Sequence, residues 1–191
     1  MGFLEGAEAL PRIDAAPFAF RTVSSDDDED LFAIFGDPRV MRYWSTSAWE
    51  SPEYAHRYID DIRRGFETRT LFQWGLVRPE EDRVIGTGTL CSLDAEHRHC
   101  EVGYALAADE WGNGVMGRAL PALIRFAFES LDMHRVEADV DPRNPASFKL
   151  LERLGFKKEG FRRESYFVGG EIQDAVMYGL LRREFVDGST T

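Results

Sequence analysis

"EWGNGVMGRAL", residues Glu110 to Leu120, contains Gly112-x-Gly114-x-x-Gly117, a literal match to the dinucleotide-binding fingerprint. "FESLDMHRVEADVD" follows, with Asp139 about where a ribose-binding acid would stand. A nucleotide-binding sheet opens on this fingerprint and then repeats strand, helix, strand. Here three strand-like runs come first, "TLFQWGLVRP", "RVIGTGTLCSL" and "HCEVGYALA". The short polar turns between them favour antiparallel hairpins. After Asp139 only one short helix and a hairpin remain, too little for a doubly wound sheet. Trp111 is awkward in a turn that must admit a pyrophosphate, and no Gly-Lys-Ser/Thr follows to make a P-loop. Two readings stay open. One is a plain strand-to-helix turn, since glycine punctuates turns everywhere. The other is a phosphate cradle, in which glycines expose backbone N–H groups at the positive end of a helix.

Outward from this loop, "VMGRALPALIRFAFESL" carries one apolar stripe, Met116, Leu120, Leu123, Ile124, Ala127 and Leu131, so Val115–Leu131 reads as an amphipathic helix. "RVEADVD" reads as a strand. "NPASFKLLERLGF" is a short helix capped by Asn144, with Pro145 at its first position and Gly155 closing it. "GFRRESYFVGGEIQDAVMYGLL" is two strands about a Gly169-Gly170 turn. Upstream, "FAFRTV" is a short strand and "SSDDDEDLFAIF" a helix start with Ser24 and Ser25 as cap candidates. "SPEYAHRYIDDIRRGF" opens on Ser51 as cap with Pro52 at the first helical position, and Tyr54, Tyr58, Ile62 and Phe66 recur every four residues. Residues 1–17 read as a loose arm, 18–185 as one domain and 186–191 as a tail.

Composition narrows the function classes. With 43% hydrophobic residues the 191-residue chain has material for one substantial core. Acids outnumber bases 34 to 23, a formal charge of −11, which argues against a nucleic-acid or anionic-membrane surface. Cys91 and Cys100 make neither a disulfide framework nor a zinc cluster, and four scattered histidines form no metal pair, so no metal is expected. The start, "MGFLEGAEALPRID", lacks a basic region and a long apolar run, so it is not expected to be a signal peptide. Gly6 fails the myristoylation pattern at the position that needs Ser or Thr. No window approaches the roughly 18 apolar residues of a membrane span, and a soluble cytoplasmic protein is expected.

The order strand, "WGNGVMGRAL", helix, strand, "NPASFKLLERLGF", hairpin resembles the GNAT superfamily of acetyl-CoA-dependent N-acetyltransferases. "DPRVMRYW", "EVGYALAADEWGNG" and "EGFRRESYFVGGEIQDAVMYGLL", in that order, are similar to its RimJ/RimL-type branch, from about Phe18 to Phe185. The resemblance implies an α+β fold with a largely antiparallel central sheet flanked by helices. Within it "CEVGYALA" and "RVEADVD" form a splayed parallel pair, with a gap near Ala107 and Asn144 for a pantetheine arm. It implies acetyl-CoA as donor and a primary amine as acceptor, a protein N-terminal α-amine being one class beside small amines, amino acids and antibiotics. It leaves monomer and homodimer open. A non-catalytic acyl-CoA-binding module and, behind it, an NAD-binding oxidoreductase are the alternatives. The family loop, Q/R-x-x-G-x-G/A, aligns with Trp111 to Met116, and Met116 departs from it, with Gly117 one place later. Cofactor contacts implied are Leu106, Ala107, Trp111, Gly112, Asn113, Gly114, Val115, Met116, Gly117, Arg118, Asn144 and Lys149.

Acetyl transfer needs a neutral amine, a donor for the thioester oxygen and help for the leaving thiolate. By resemblance Glu101 is the candidate base, with His99, two residues away on the same strand side, in reserve. The plain alternative is a solvated or paired glutamate. In the family's N-x-x-A-x-x-L-Y-x-x-x-G-F pattern Leu151 occupies the tyrosine position and cannot donate, whereas Ser147 occupies the alanine position and can. Asn144 resembles the residue that holds the pantetheine arm, and Lys149 and Arg118 are candidate phosphate contacts. Met41, Arg42, Trp44 and Trp74 are candidate acceptor-side residues, with core packing as the alternative for the two tryptophans.

Overall fold

In the computed structural model, which describes residue 4 and residues 6–186, the three runs before the glycine loop become β3 (Leu71–Val77), β4 (Val84–Asp94) and β5 (His99–Leu106). They are antiparallel neighbours, as turns of a few residues require. β1 (Ile13–Ala15) and β2 (Phe18–Thr22) extend the sheet on the β3 side. β6 (Arg135–Val140), β7 (Lys157–Val168) and β8 (Glu171–Leu181) extend it beyond β5. The eight strands lie in the order β1-β2-β3-β4-β5-β6-β8-β7, and only β5 and β6 are parallel. A parallel neighbour demands a crossover, and α4 (Val115–Glu129) supplies it. The glycine run therefore sits at a strand-to-helix junction inside a mixed α+β sheet. It does not open a doubly wound one, which removes the structural basis of the NAD reading.

Strand alternation gives the sheet two differently covered faces. On one, Val102, Val136, Ala138, Val176 and Leu180 meet Leu120, Leu123, Ile124 and Ala127 of α4, and Leu151 of α5 (Pro145–Arg153). On the other, Ala19, Val77 and Ala105 lie under α1 (Asp28–Phe35), α2 (Pro38–Met41) and α3 (Glu53–Glu67). Ser24 and Asp27 form a capping box ahead of α1, and Arg21 clasps the Asp27 carboxylate with two bonds of 2.8 and 2.7 Å. Asn144 Oδ1 accepts from Ser147 N at the head of α5, as expected of its cap. Among the described residues no helix is long and apolar enough to cross a membrane.

Several local expectations are corrected. The arm is not loose from Leu10 onward. Leu10, Ile13 and Ala15 are buried, and the Pro11 carbonyl accepts a 2.8 Å bond from Trp74 Nε1. Three residues are too few to display a strand period, so this pairing was invisible in the chain alone. Met1, Gly2 and residues 187–191 of the tail lie outside the described residues. Ser51 does not cap α3. Pro52 takes the N-cap position, and no side-chain cap bond is made there. The buried stripe of α3 runs through Ala55, Ile59 and Ile62, while Tyr54 is exposed. A strict four-residue spacing drifts about 40° per step around a helix of 3.6 residues per turn, which carries Tyr54 off the buried face.

Gly88 on β4 has no room for a side chain, because a Cβ there would stand 2.6 Å from Phe20 and 2.8 Å from Leu123. Gly88→Ala is therefore expected to destabilise the fold by about 1–3 kcal/mol, read as a lower urea midpoint at unchanged slope. Gly103→Ala, whose Cβ would meet only Thr89 at 3.7 Å, is the matched control and should leave the midpoint near that of the parent.

Candidate active site

β5 and β6 pair at His99↔Arg135, Cys100↔Val136 and Glu101↔Glu137, and then separate. β5 stays bonded to β4 as far as Leu106, and β6 stays bonded to β8 as far as Val140. Each strand keeps its outer partner while the two diverge, which opens a cleft through the sheet. Two cavities meet there, a groove of about 870 Å³ and a smaller cavity of about 170 Å³. Tyr43, Trp44, Tyr104, Asn144 and Ser147 line both.

The groove runs to the glycine loop. Gly114, at φ +68°, is the N-cap of α4 and brings no side-chain cap, so among the described residues no side chain satisfies the first N–H groups of the helix. Gly112 is also left-handed, at φ +78°. Trp111 braces the loop by donating from Nε1 to the Leu106 carbonyl at 2.9 Å, and Glu110 is clasped by Arg78 through bonds of 2.8 and 2.6 Å. Of the expected contacts, Leu106, Trp111, Gly112, Gly114, Val115, Met116, Gly117, Asn144 and Lys149 line the groove. Met116 is buried in the core beneath, so its departure from the family pattern is accommodated by packing. Ala107, Asn113 and Arg118 are not in the lining. Ala107 N continues the ladder to the Ile85 carbonyl. Arg118 donates to the Asn113 carbonyl at 2.6 Å and lies over the Phe18 ring, so it shapes the loop from behind. Arg39, Arg42 and Arg153 join Lys149 as the cations facing the groove; Arg42 was expected on the acceptor side.

Glu101, Asp139, Asp141 and Asp174 line the smaller cavity, with Tyr166 and Gln173 of the β7–β8 hairpin. Three of these carboxylates are engaged. Asp139 takes bonds from Arg162 and from Tyr166 Oη at 3.0 Å. Asp141 takes the Arg143 guanidinium, and Asp174 takes the Glu164 N–H at 2.8 Å. The Glu101 carboxylate has no hydrogen-bond or ion-pair partner among the described residues. Burial raises its proton affinity above the ordinary carboxylate value, the charges of Asp139 and Glu137 add to this, and Arg162 opposes it. His99, the reserve base, is not in the lining and stands 3.7 Å from Asp94. Two acceptor-side expectations fail. Trp74 is fully buried against Phe72 and Phe126, and Met41 is buried under α1. Trp44 does line the cavity.

Nothing in the sequence pattern singles out Tyr104. Its hydroxyl lies 2.6 Å from Ser147 Oγ, and burial pushes its pKa up to about 12. Three residues from Glu101, it belongs to the opposite face of β5, and only the parting of the strands brings the two faces into one space. The arrangement sets an unpaired carboxylate and a hydroxyl pair along one cleft, beside a groove fitted with N–H donors and cations. It suits transfer of a group between an amine and a phosphate-bearing carrier.

A family model described as "Acetyltransferase (GNAT) domain" matches residues 18–157. The N-acetyltransferase p20 of Bacillus licheniformis is 33% identical over 86% of this chain and 93% of its own length. The [ribosomal protein uS5]-alanine N-acetyltransferase of Escherichia coli is 33% identical over 62% of each chain. In fold, the chain is similar to the spermidine N-acetyltransferase of Vibrio cholerae solved with CoA and spermine (TM-score 0.78, 20% identity, 88% of this chain and 98% of that one).

The two thiols test the electrostatics of this sheet. Burial first, and then neighbouring charged or ionisable groups, raise Cys91 to about 11 and Cys100 to about 12. Both should alkylate with iodoacetamide at pH 7.5 far more slowly than an ordinary thiol of pKa about 8.5, as read by intact mass, and unfolding should abolish the difference.

Proposed function

The chain belongs to the GNAT family of acetyltransferases, and from that membership we propose direct transfer of an acetyl group from acetyl-CoA to a primary amine in a ternary complex, with a protein N-terminal α-amine as the acceptor. GNAT acetyltransferases use acetyl-CoA, and the groove's chemistry fits it. The N–H groups of α4 that no side chain caps suit the pyrophosphate, Lys149 and Arg153 suit the remaining phosphate charge, and the Asn144 amide suits the arm. The cosubstrate supplies an activated acyl group. The carrying observation is the cleft itself, with the unpaired Glu101 carboxylate and Ser147 both bordering it. Glu101 takes the amine's proton, and the Ser147 hydroxyl donates to the leaving sulfur. No cysteine lines the cavity among the described residues, and the thiol paired with Glu101 in the ladder, Cys91, is held protonated, which favours direct transfer over an acetyl-cysteine intermediate.

The acceptor reading rests on charge. Asp139 and Asp141 are already neutralised by Arg162 and Arg143, so few cavity carboxylates remain to meet a polycation, and the Glu101 carboxylate alone has no hydrogen-bond partner among the described residues. An α-amine, of pKa about 7.7–8.0, is also easier for a single glutamate to deprotonate than an alkylamine near 10.4. The uS5-alanine and spermidine relatives represent these two acceptor classes.

In a thermal shift, acetyl-CoA should raise the Tm while NAD and ATP at equal concentration do not match it. Free-thiol release should then proceed with peptides bearing a free N-terminus and fail with blocked ones. Equal rates on both would sink the α-amine assignment, and no release with any amine would leave a binding module.

The acid limb of the kcat–pH profile should lie above the ordinary glutamate range, because only ionised Glu101 accepts the proton and its affinity for protons is raised. Asp139→Asn removes a like charge, so the limb should move to lower pH. Glu101→Gln should lower kcat by at least tens-fold near neutrality, with a defect that shrinks as pH rises and more amine is neutral.

A further inference from the structure

We propose that Tyr104 is a positioning residue of the transfer, its phenol donating to Ser147 Oγ and so turning the serine's single proton toward the junction of the two cavities. This rests on the acetyl-transfer reading. At 2.6 Å the two hydroxyls share one hydrogen bond, and either oxygen is able to donate it. The phenol is the more acidic of the two hydroxyls and so the better donor, and two features agree with that direction. Tyr104 is the hydroxyl's only side-chain partner among the described residues, so if Ser147 donated to the phenol it would have no proton left for the cleft. Ser147 also lies in the first turn of α5, where the carbonyl four residues back, that of Arg143, precedes the helix, and no bond from Oγ to it is present. With the phenol as donor, one lone pair of Oγ is filled and its proton faces the space that Tyr43, Trp44 and Asn144 also border.

The cleft sets where that proton is needed. An acyl group passing from groove to cavity must cross the walls both share, and Tyr104 and Ser147 are two of those five residues. As the N–C bond forms and the C–S bond breaks, sulfur leaves with the electron pair and takes the Ser147 proton, while Glu101 holds the proton of the amine. As the serine gives up its proton, the Tyr104 phenol, the more acidic of the two hydroxyls, passes its own to Oγ, so that no serine alkoxide builds up. Solvent returns a proton to Tyr104 and removes one from Glu101 once the products depart.

Tyr104→Phe keeps the ring and removes only the donor. It should leave the Tm and the acetyl-CoA affinity near those of the parent and lower kcat at least about 10-fold. In a Ser147→Ala background the same change should have no further effect, since a residue acting through the serine has nothing left to act on. Full kcat in Tyr104→Phe, or losses that multiply in the double variant, would overturn the proposal. Failure of the acetyl-transfer reading is separately visible, because the parent protein would then release no thiol from acetyl-CoA with any amine.

Discussion

Parallel strands joined by a crossover normally zip along their shared length, and here the zip stops after three pairs. Beyond Glu101 and Glu137 the facing edges of β5 and β6 carry backbone groups with no ladder partner across the seam, in a region enclosed by helices on both sides. Buried backbone N–H and C=O groups are rarely left alone. An edge of this kind invites an extended, amide-bearing chain to lie along it, the logic of strand addition applied to a cosubstrate. The rest of the molecule keeps the parting in place. β4 and β8 hold the outer edges in register, Trp111 ties the far end of β5 to the glycine loop, and α5 stands across the mouth.

The parting also mixes the faces of the sheet. Along an intact strand Glu101 and Tyr104 would look into separate cores and never share a reactant. In the cleft the Glu101 carboxylate and the Tyr104–Ser147 hydroxyl pair border one passage, which suits a reaction that collects a proton at one point and needs one at another. The cost is an unpaired carboxylate in a largely buried place, a kind of strain commonly concentrated at functional sites.

Most of the architecture was legible because its signals were local. The hairpins β3–β4 and β4–β5, the apolar stripe of α4, the Asn144 cap and the Gly169-Gly170 turn each declare themselves within a dozen residues. What escaped depended on distant partners. β1 is three residues long, and its reason for being a strand is β2 alongside it. Trp74 reads equally as a pocket wall or a core ring until Pro11 and Phe126 are placed against it. Arg118 has the right charge near the right loop, yet Phe18 and the Asn113 carbonyl draw it behind the loop. Tyr104 was hidden by the alternation rule itself, which holds for a closed sheet and fails as a guide where the sheet opens.

The smaller cavity is assembled from both ends of the chain. Tyr43, Trp44 and Ser45 form one wall, Tyr166, Gln173 and Asp174 another, and Gly169 at the hairpin tip stands against the Ser47 hydroxyl. The glycine loop, α4 and α5 come from one continuous middle stretch. The larger groove is lined by residues no later than Arg153, while the smaller cavity is completed by the hairpin. A change of sequence at Tyr166, Gln173 or Asp174 would therefore reshape the second space and leave the lining of the first as it is.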